Sequence, residues 1–249
     1  MSRRRVLITG ATSGLGAAMA TALAAAGARV LVTGRNEERA AAVARALRSG
    51  AISSALDVRN EHSVAACVAR ATDAWGGIDM LVNNAGIGMR TVNPRFLTEP
   101  QPFWEVTPAG FRDVMETKVV GCFLMARAIV PMMLQQGGGR VVNISMNEET
   151  MIRRGFVPYG PAGAGVEALS RVMAADLAET SVTVNMLLPG GRGTHTGMVP
   201  DDVPANVRAR LLDPAVMGPP IVWLASDRAA GVHDRRIVAN EFDPAAFRP

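Results

Sequence analysis

Seven short apolar runs, separated by longer alanine-rich segments with helical spacing, constrain the fold of this chain more than any other feature. The runs fall at 5–9, 29–33, 52–56, 78–82, 140–145, 183–187 and 235–238; helical patterns fall at 14–26, 36–49, 60–75, 108–136 and 158–180. A strand that is apolar along its whole length must be covered on both faces, and strands alternating with helices supply that cover as βαβ units. Crossovers of one hand then predict an α/β fold, a doubly wound Rossmann-type sheet of about seven mainly parallel strands. The expectation is one domain over 1–249. Two irregular stretches, 87–107 and 189–204, break the rhythm and are expected to act as lids or substrate walls at the carboxyl ends of strands.

Composition narrows the function classes. With 249 residues, 49% hydrophobic and 19% charged, the chain has ample material for a core and is not globally disordered. No run approaches the roughly 18 consecutive apolar residues of a membrane span, so no membrane association is expected. The net charge of +4 does not imply nucleic-acid binding, because the arginines are dispersed and only 4% of residues are aromatic. Cys67 and Cys122 lie far apart in helical segments and read as free thiols, which predicts a cytoplasmic protein. Lys118 is the sole lysine among 26 lysines and arginines.

The first strand runs into Thr9-Gly10-Ala11-Thr12-Ser13-Gly14-Leu15-Gly16 and then directly into a helix. Glycines at such a turn bring the backbone close to a pyrophosphate, which the helix N-terminus stabilises. A tight turn without a ligand is the alternative. After the second strand, Thr33-Gly34-Arg35-Asn36 lacks the carboxylate that would accept hydrogen bonds from a ribose 2′-hydroxyl. Arg35 offers a planar cation suited to a 2′-phosphate instead, so NADP(H) is the preferred cofactor and NAD(H) the second choice.

The glycine spacing, together with Asp57-Val58 after the third strand and Asn83-Asn84-Ala85-Gly86 after the fourth, resembles the short-chain dehydrogenase/reductase family. The resemblance runs from about residue 5 to about residue 240. It implies hydride transfer to or from a carbonyl carbon of a small-molecule substrate. It also implies that Gly10, Thr12, Ser13, Gly14, Leu15 and Gly16 hold the phosphates, that Asp57 and Val58 meet the adenine, and that Asn83 and Gly86 line the adenosine side. By the same resemblance Pro189, Gly190 and Thr194 border the nicotinamide, and the chain forms a homodimer or homotetramer through the helices at 108–136 and 158–180.

The catalytic positions depart from that family. Its Tyr-x-x-x-Lys pair reads Tyr159-Gly160-Pro161-Ala162-Gly163 here, its serine position is Met146, and its asparagine position is Lys118. Only Tyr159 remains. A free phenol has a pKa near 10, so about one in a thousand is ionised at pH 7, and the missing lysine matters. The expectation is that Lys118 enters the slot vacated at Gly163 and supports Tyr159, with Ser145 or Asn147 polarising the carbonyl. Met146, Phe103, Trp104, Glu149 and Met198 are the candidate substrate residues. Two other readings keep the fold: non-redox chemistry (isomerase, dehydratase, lyase or cyclase), or a non-catalytic nucleotide-binding subunit.

Overall fold

The computed structural model describes residues 4–47, 50–191, 193–201 and 203–247. Its strands are β1 (Arg5–Ile8), β2 (Arg29–Gly34), β3 (Ile52–Ala55), β4 (Met80–Asn83), β5 (Gly139–Ile144), β6 (Val182–Leu188) and β7 (Arg236–Val238). They form one sheet in the order β3-β2-β1-β4-β5-β6-β7, and every pairing is parallel. The helices are α1 (Gly14–Ala25), α2 (Glu37–Ala46), α3 (Glu61–Trp75), α4 (Pro108–Met115), α5 (Gly121–Gln135), α6 (Glu148–Met151), α7 (Tyr159–Asp176), α8 (Ala205–Arg208) and α9 (Gly218–Ala225).

Side-chain alternation along the strands feeds two cores. Val6 and Ile8 of β1, Val30 and Val32 of β2, and Val142 and Ile144 of β5 point into the layer built with α1, α2 and α9. Leu7, Leu31, Leu81 and Val141 point the other way, into the layer of α3, α5 and α7. This two-sided burial is why the strands read as unbroken apolar runs. β4 begins at Met80, just after Asp79, whose backbone bonds to Arg5 and Arg140 on either side and whose carboxylate accepts from the Arg5 backbone N–H and guanidinium.

Three features differ from expectation. The segment at 108–136 is helical throughout but passes through a π-helical turn, Glu116–Val120, between α4 and α5. α9, which is not among the expected helices, opens Gly218-Pro219-Pro220 and packs on α1; proline is tolerated there since first-turn N–H groups lack helical partners. The helix Pro108–Gln135 is long and apolar enough to cross a membrane, against the expectation from unbroken apolar runs. Its Met125, Ile129 and Met133 are fully buried in the core, while Phe111, Val120, Phe123 and Leu134 of the same helix are exposed.

Candidate active site

The glycine turn, Asn83, Gly86, Ser145, Met146, Pro189, Gly190 and Thr194 lie at the carboxyl ends of β1, β4, β5 and β6 or in the loops that follow them. The β1–α1 turn is braced from β4. Asn84 Nδ2 donates to the carbonyls of Thr9 (3.0 Å) and Gly10 (2.9 Å), while the Thr9 hydroxyl accepts from the Asn84 and Ala85 N–H groups. Gly10 and Gly14 hold φ of +63° and +54°, a region costly for side-chain-bearing residues. A Cβ on Gly16 would lie 2.3 Å from the Gly10 carbonyl oxygen, so the helix start can approach the turn only because that residue is glycine. Ala17 N–H is bonded back to Ser13, which leaves the N–H groups at the head of α1 open to an anion. Thr12 packs its methyl where a Gly34 side chain would stand, locking the turn to the end of β2.

Arg35 follows, exposed and without an ion-pair partner among the described residues. Asp57 is engaged differently: Arg59 forms a double contact with its carboxylate and holds it below the ordinary range. Val58 is buried and nests where a Gly121 side chain would be, so it packs the interior as well as bordering the site. Asn83 is also turned inward. Its Nδ2 donates to Asn143 Oδ1 (2.9 Å) and the Cys122 sulfur (3.5 Å), and its buried Oδ1 has no partner. Sequence reasoning stopped at Asn83 and Gly86 and missed Asn84, whose place as the second asparagine of the pair was the available signal.

The loop after β6 closes over this turn. Gly190 has φ of +78°, and a side chain there would collide with Asn240. Thr194 is buried and bridges to Leu212, and the Thr196 methyl lies 3.2 Å from where a Gly14 Cβ would be. Arg90 clamps the two irregular stretches together, donating to the carbonyls of Gly197 (3.2 Å) and Val199 (3.1 Å) and pairing with Asp201 (2.9 Å). No local sequence pattern announces that clamp.

Tyr159 opens α7, packed with the cluster of Met89, Phe96 and Phe156, and its hydroxyl donates to the Met198 sulfur at 3.9 Å. Burial raises the phenol pKa. Lys118 projects from the π turn, and its Nζ lies 4.9 Å from the Tyr159 ring centroid, a cation–π arrangement. π turns recur at functional sites because the extra residue re-aims a side chain. The ammonium passes Gly86, where an added Cβ would be 3.5 Å from Nζ. Desolvation lowers the Lys118 pKa to about 8, and no carboxylate among the described residues opposes it.

The slot at Gly163 is filled by a different group from the one expected. Met146, not Lys118, occupies it: a Cβ on Gly163 would stand 2.6 Å from the Met146 methyl and 2.7 Å from its sulfur. An unbranched thioether is long and pliant enough to fill such a gap. Gly165 likewise admits Val119, which seats the π turn against α7. Methionine at 146 and glycine at 163 are thus sterically coupled, and Lys118 meets Tyr159 at the face of its ring instead.

Neither expected carbonyl donor is free. Ser145 donates its hydroxyl to Glu167, which also accepts from Arg236 Nε (2.9 Å); Arg236 Nη2 donates to the Met146 carbonyl (2.9 Å). This linkage pins the end of β5 to α7 and β7, so Ser145 serves as a structural link. Asn147 donates its amide to the Gly191 carbonyl, tying the β5 loop to the β6 loop. Phe103 and Trp104 pack edge to face on each other, 67% and 73% exposed, and Glu149 is exposed as well. Of the substrate candidates, Met198 touches Tyr159 and Met146 abuts its helix; the aromatic residues of the cluster that packs with Tyr159 are Phe96 and Phe156.

The family model for short chain dehydrogenases matches residues 4–204. The chain belongs to the short-chain dehydrogenase family. It is 33% identical over 243 residues to the 3-oxoacyl-acyl-carrier-protein reductase FabG of Vibrio cholerae serotype O1, covering 94% of each chain. It is 34% identical over 244 residues to the acetoacetyl-CoA reductase of Rhizobium meliloti, covering 95% of this chain and 97% of the relative. Among solved structures, the 3-ketoacyl-(acyl-carrier-protein) reductase from Brucella melitensis complexed with NADH superimposes with a TM-score of 0.84 at 27% identity, covering 95% and 96% of the two chains. A gluconate 5-dehydrogenase from Burkholderia cenocepacia in complex with NADP and tartrate gives 0.83 at 28% identity, covering 96% and 94%. Within this family the glycine turn and its Asn84 brace suit a dinucleotide: the turn has no side chains in the way, and open N–H groups head α1.

Proposed function

We propose that the protein is an NADP(H)-dependent oxidoreductase that transfers hydride to or from a small or medium apolar carbonyl or alcohol, with Tyr159 as proton donor and Lys118 as its supporting cation. The observation that carries this reading is the Lys118 ammonium over the Tyr159 ring, in a cleft headed by the glycine turn. The bound dinucleotide supplies the hydride. Gly10, Thr12, Ser13, Gly14, Leu15 and Gly16 would hold its phosphates, Arg35 its 2′-phosphate, Asp57, Val58, Asn83 and Gly86 its adenosine side, and Pro189, Gly190 and Thr194 its nicotinamide side.

The protonation states fit the role of Tyr159 as proton donor. Tyr159 is kept neutral by burial and can give its hydroxyl proton to a carbonyl oxygen. Lys118, with a pKa of about 8, is mostly cationic at pH 7 and offsets the negative charge that develops on that oxygen and on the phenolate. With Ser145 and Asn147 engaged elsewhere, these two groups would carry the polar chemistry, beside an apolar cluster of Met89, Phe96 and Phe156 that packs with Tyr159 and the Met198 sulfur at its hydroxyl. The names of the relatives make 3-oxoacyl thioesters the first substrates to try.

We place the active form in the cytoplasm as a homodimer or homotetramer. Buried reduced thiols at Cys67 and Cys122 support the first, and exposed Phe111, Val120 and Phe123 on the 108–135 helix with Val172 on α7 support the second. The test is a fluorescence titration with NADPH and NADH, followed by NADPH oxidation with acetoacetyl thioester. Micromolar NADPH binding, weaker NADH binding and turnover are expected. Failure to bind either nucleotide would overturn the reading.

A further inference from the structure

We infer that a cleft at the amino end of the sheet, opposite the nucleotide turn, binds a phosphoryl group, free or on a small molecule, through Arg140, Arg4 and Thr183. β5 and β6 run parallel and pair Arg140 with Thr183, so the two side chains leave the same face of the sheet. Arg4 lies at the entry to β1, and the three residues border a cleft of about 320 Å³ with Gly137, Ser181 and Gly231. That volume is within the range of small-molecule sites. Gly137 and Gly231 turn with φ of +80° and +75°, and a Cβ on either would meet nothing within 4 Å, so there is open space on those sides.

The donors of the cleft are free to receive an anion. Arg140 caps the end of α9 with one nitrogen: Nη1 donates to the Leu224 carbonyl and to the Ser226 carbonyl (2.6 Å). Its Nε and Nη2, one edge of the guanidinium, have no partner among the described residues. The two nearby carboxylates are already paired, Asp79 with Arg5 and Asp227 with Arg4, which leaves Arg140 without a counter-charge. Burial, and after it the Arg4 charge, work against the Arg140 cation, and a bound anion would offset both. Thr183 Oγ1 is buried without a hydrogen-bond partner, a donor that costs free energy until something accepts from it. A phosphoryl group suits this set better than a planar carboxylate. Its terminal oxygens can take the Arg140 edge, the Arg4 guanidinium and the Thr183 hydroxyl at once. The remaining border, Ser181 and glycine backbone, suits a hydroxylated body over an apolar one.

The experiment is calorimetric titration of the whole protein at pH 7.5 in a phosphate-free buffer, with inorganic phosphate in one arm and glycerol 3-phosphate in the other. Saturable binding is expected. Tighter binding of glycerol 3-phosphate would identify the ligand as a small monoester, and binding of inorganic phosphate at least as tight would identify it as free phosphate. Thr183→Val keeps the side-chain shape and removes the unpartnered hydroxyl; its Tm should be unchanged or raised and its affinity roughly tenfold weaker. Arg4→Gln, at the edge of the fold, should weaken binding roughly tenfold or more. Both variants leave the nucleotide turn untouched at the other end of the sheet, so phosphate held there would bind them as it binds wild type. No binding of either probe, or an affinity unchanged in either folded variant, would overturn the inference. The site needs no nucleotide, so it and the reductase reading can fail separately.

Discussion

Replacing Lys118 with methionine removes a desolvated charge while keeping most of the side-chain volume, and the structure fixes both the sign and the pH dependence of the effect. Burial takes the Lys118 pKa from 10.5 to about 8, which corresponds to roughly 3 kcal/mol at pH 7. The folded state prefers the neutral amine, so between about 8 and 10.5 the unfolded chain holds the extra proton. Stability contributed through this group therefore rises with pH across that window and is penalised below it. The Lys118→Met variant escapes the penalty. It should be more stable than wild type by up to about 3 kcal/mol below pH 8, or roughly 6–12 °C in Tm for a chain of this size. The gap should close as pH approaches 10.5. Cys67 and Cys122, pushed up to about 11 and about 12, oppose this trend in absolute stability, but both proteins share them. Thermal denaturation of the pair at pH 6.5, 8, 9 and 10 measures the gap directly. Two curves that stay parallel across the range would refute the claim that Lys118 is held as a destabilised cation.

Other outcomes follow from the same geometry. Gly163→Lys alone should lose about 1–3 kcal/mol by denaturant titration, because its Cβ meets Met146 at 2.6 Å; adding Met146→Ser should recover most of that loss. Tyr159→Phe should leave stability nearly unchanged, since the hydroxyl bonds only to a methionine sulfur at 3.9 Å, while turnover falls at least a hundredfold with NADPH binding intact. Asn84→Ala should lose about 1–3 kcal/mol and weaken nucleotide binding, by leaving the carbonyls of Thr9 and Gly10 unbraced. Carbonyl reduction in wild type should decline as pH rises through about 8, when Lys118 loses its charge; a flat profile to pH 9.5 would separate Lys118 from the chemistry.

The fold was legible because its strands are buried on both faces: runs such as Val6-Leu7-Ile8 and Val141-Val142 leave few other placements, and the glycines at 10, 14 and 16 mark the turn between them. α9 was hidden because Pro219 and Pro220 look like loop and are harmless only at a helix start. The site was half legible. Residue types at 118, 146, 159 and 163 set the expectation of an altered centre, yet which side chain fills which space depends on how α7, the π turn and the β5 loop meet. Met146 entering the Gly163 slot is a contact across 17 positions, and nothing local to either residue encodes it. The engagement of Ser145 by Glu167 and Arg236 was invisible for the same reason, since the three groups come from three different elements.

The central claim is that Lys118 has assumed the support of Tyr159 in a working reductase. Its most direct test is the rate of NADPH oxidation with acetoacetyl thioester, measured for wild type and for Lys118→Met at equal nucleotide saturation. A drop of at least a hundredfold in kcat, with NADPH affinity changed by less than tenfold, is the result this account predicts. A variant that turns over as fast as wild type would contradict it.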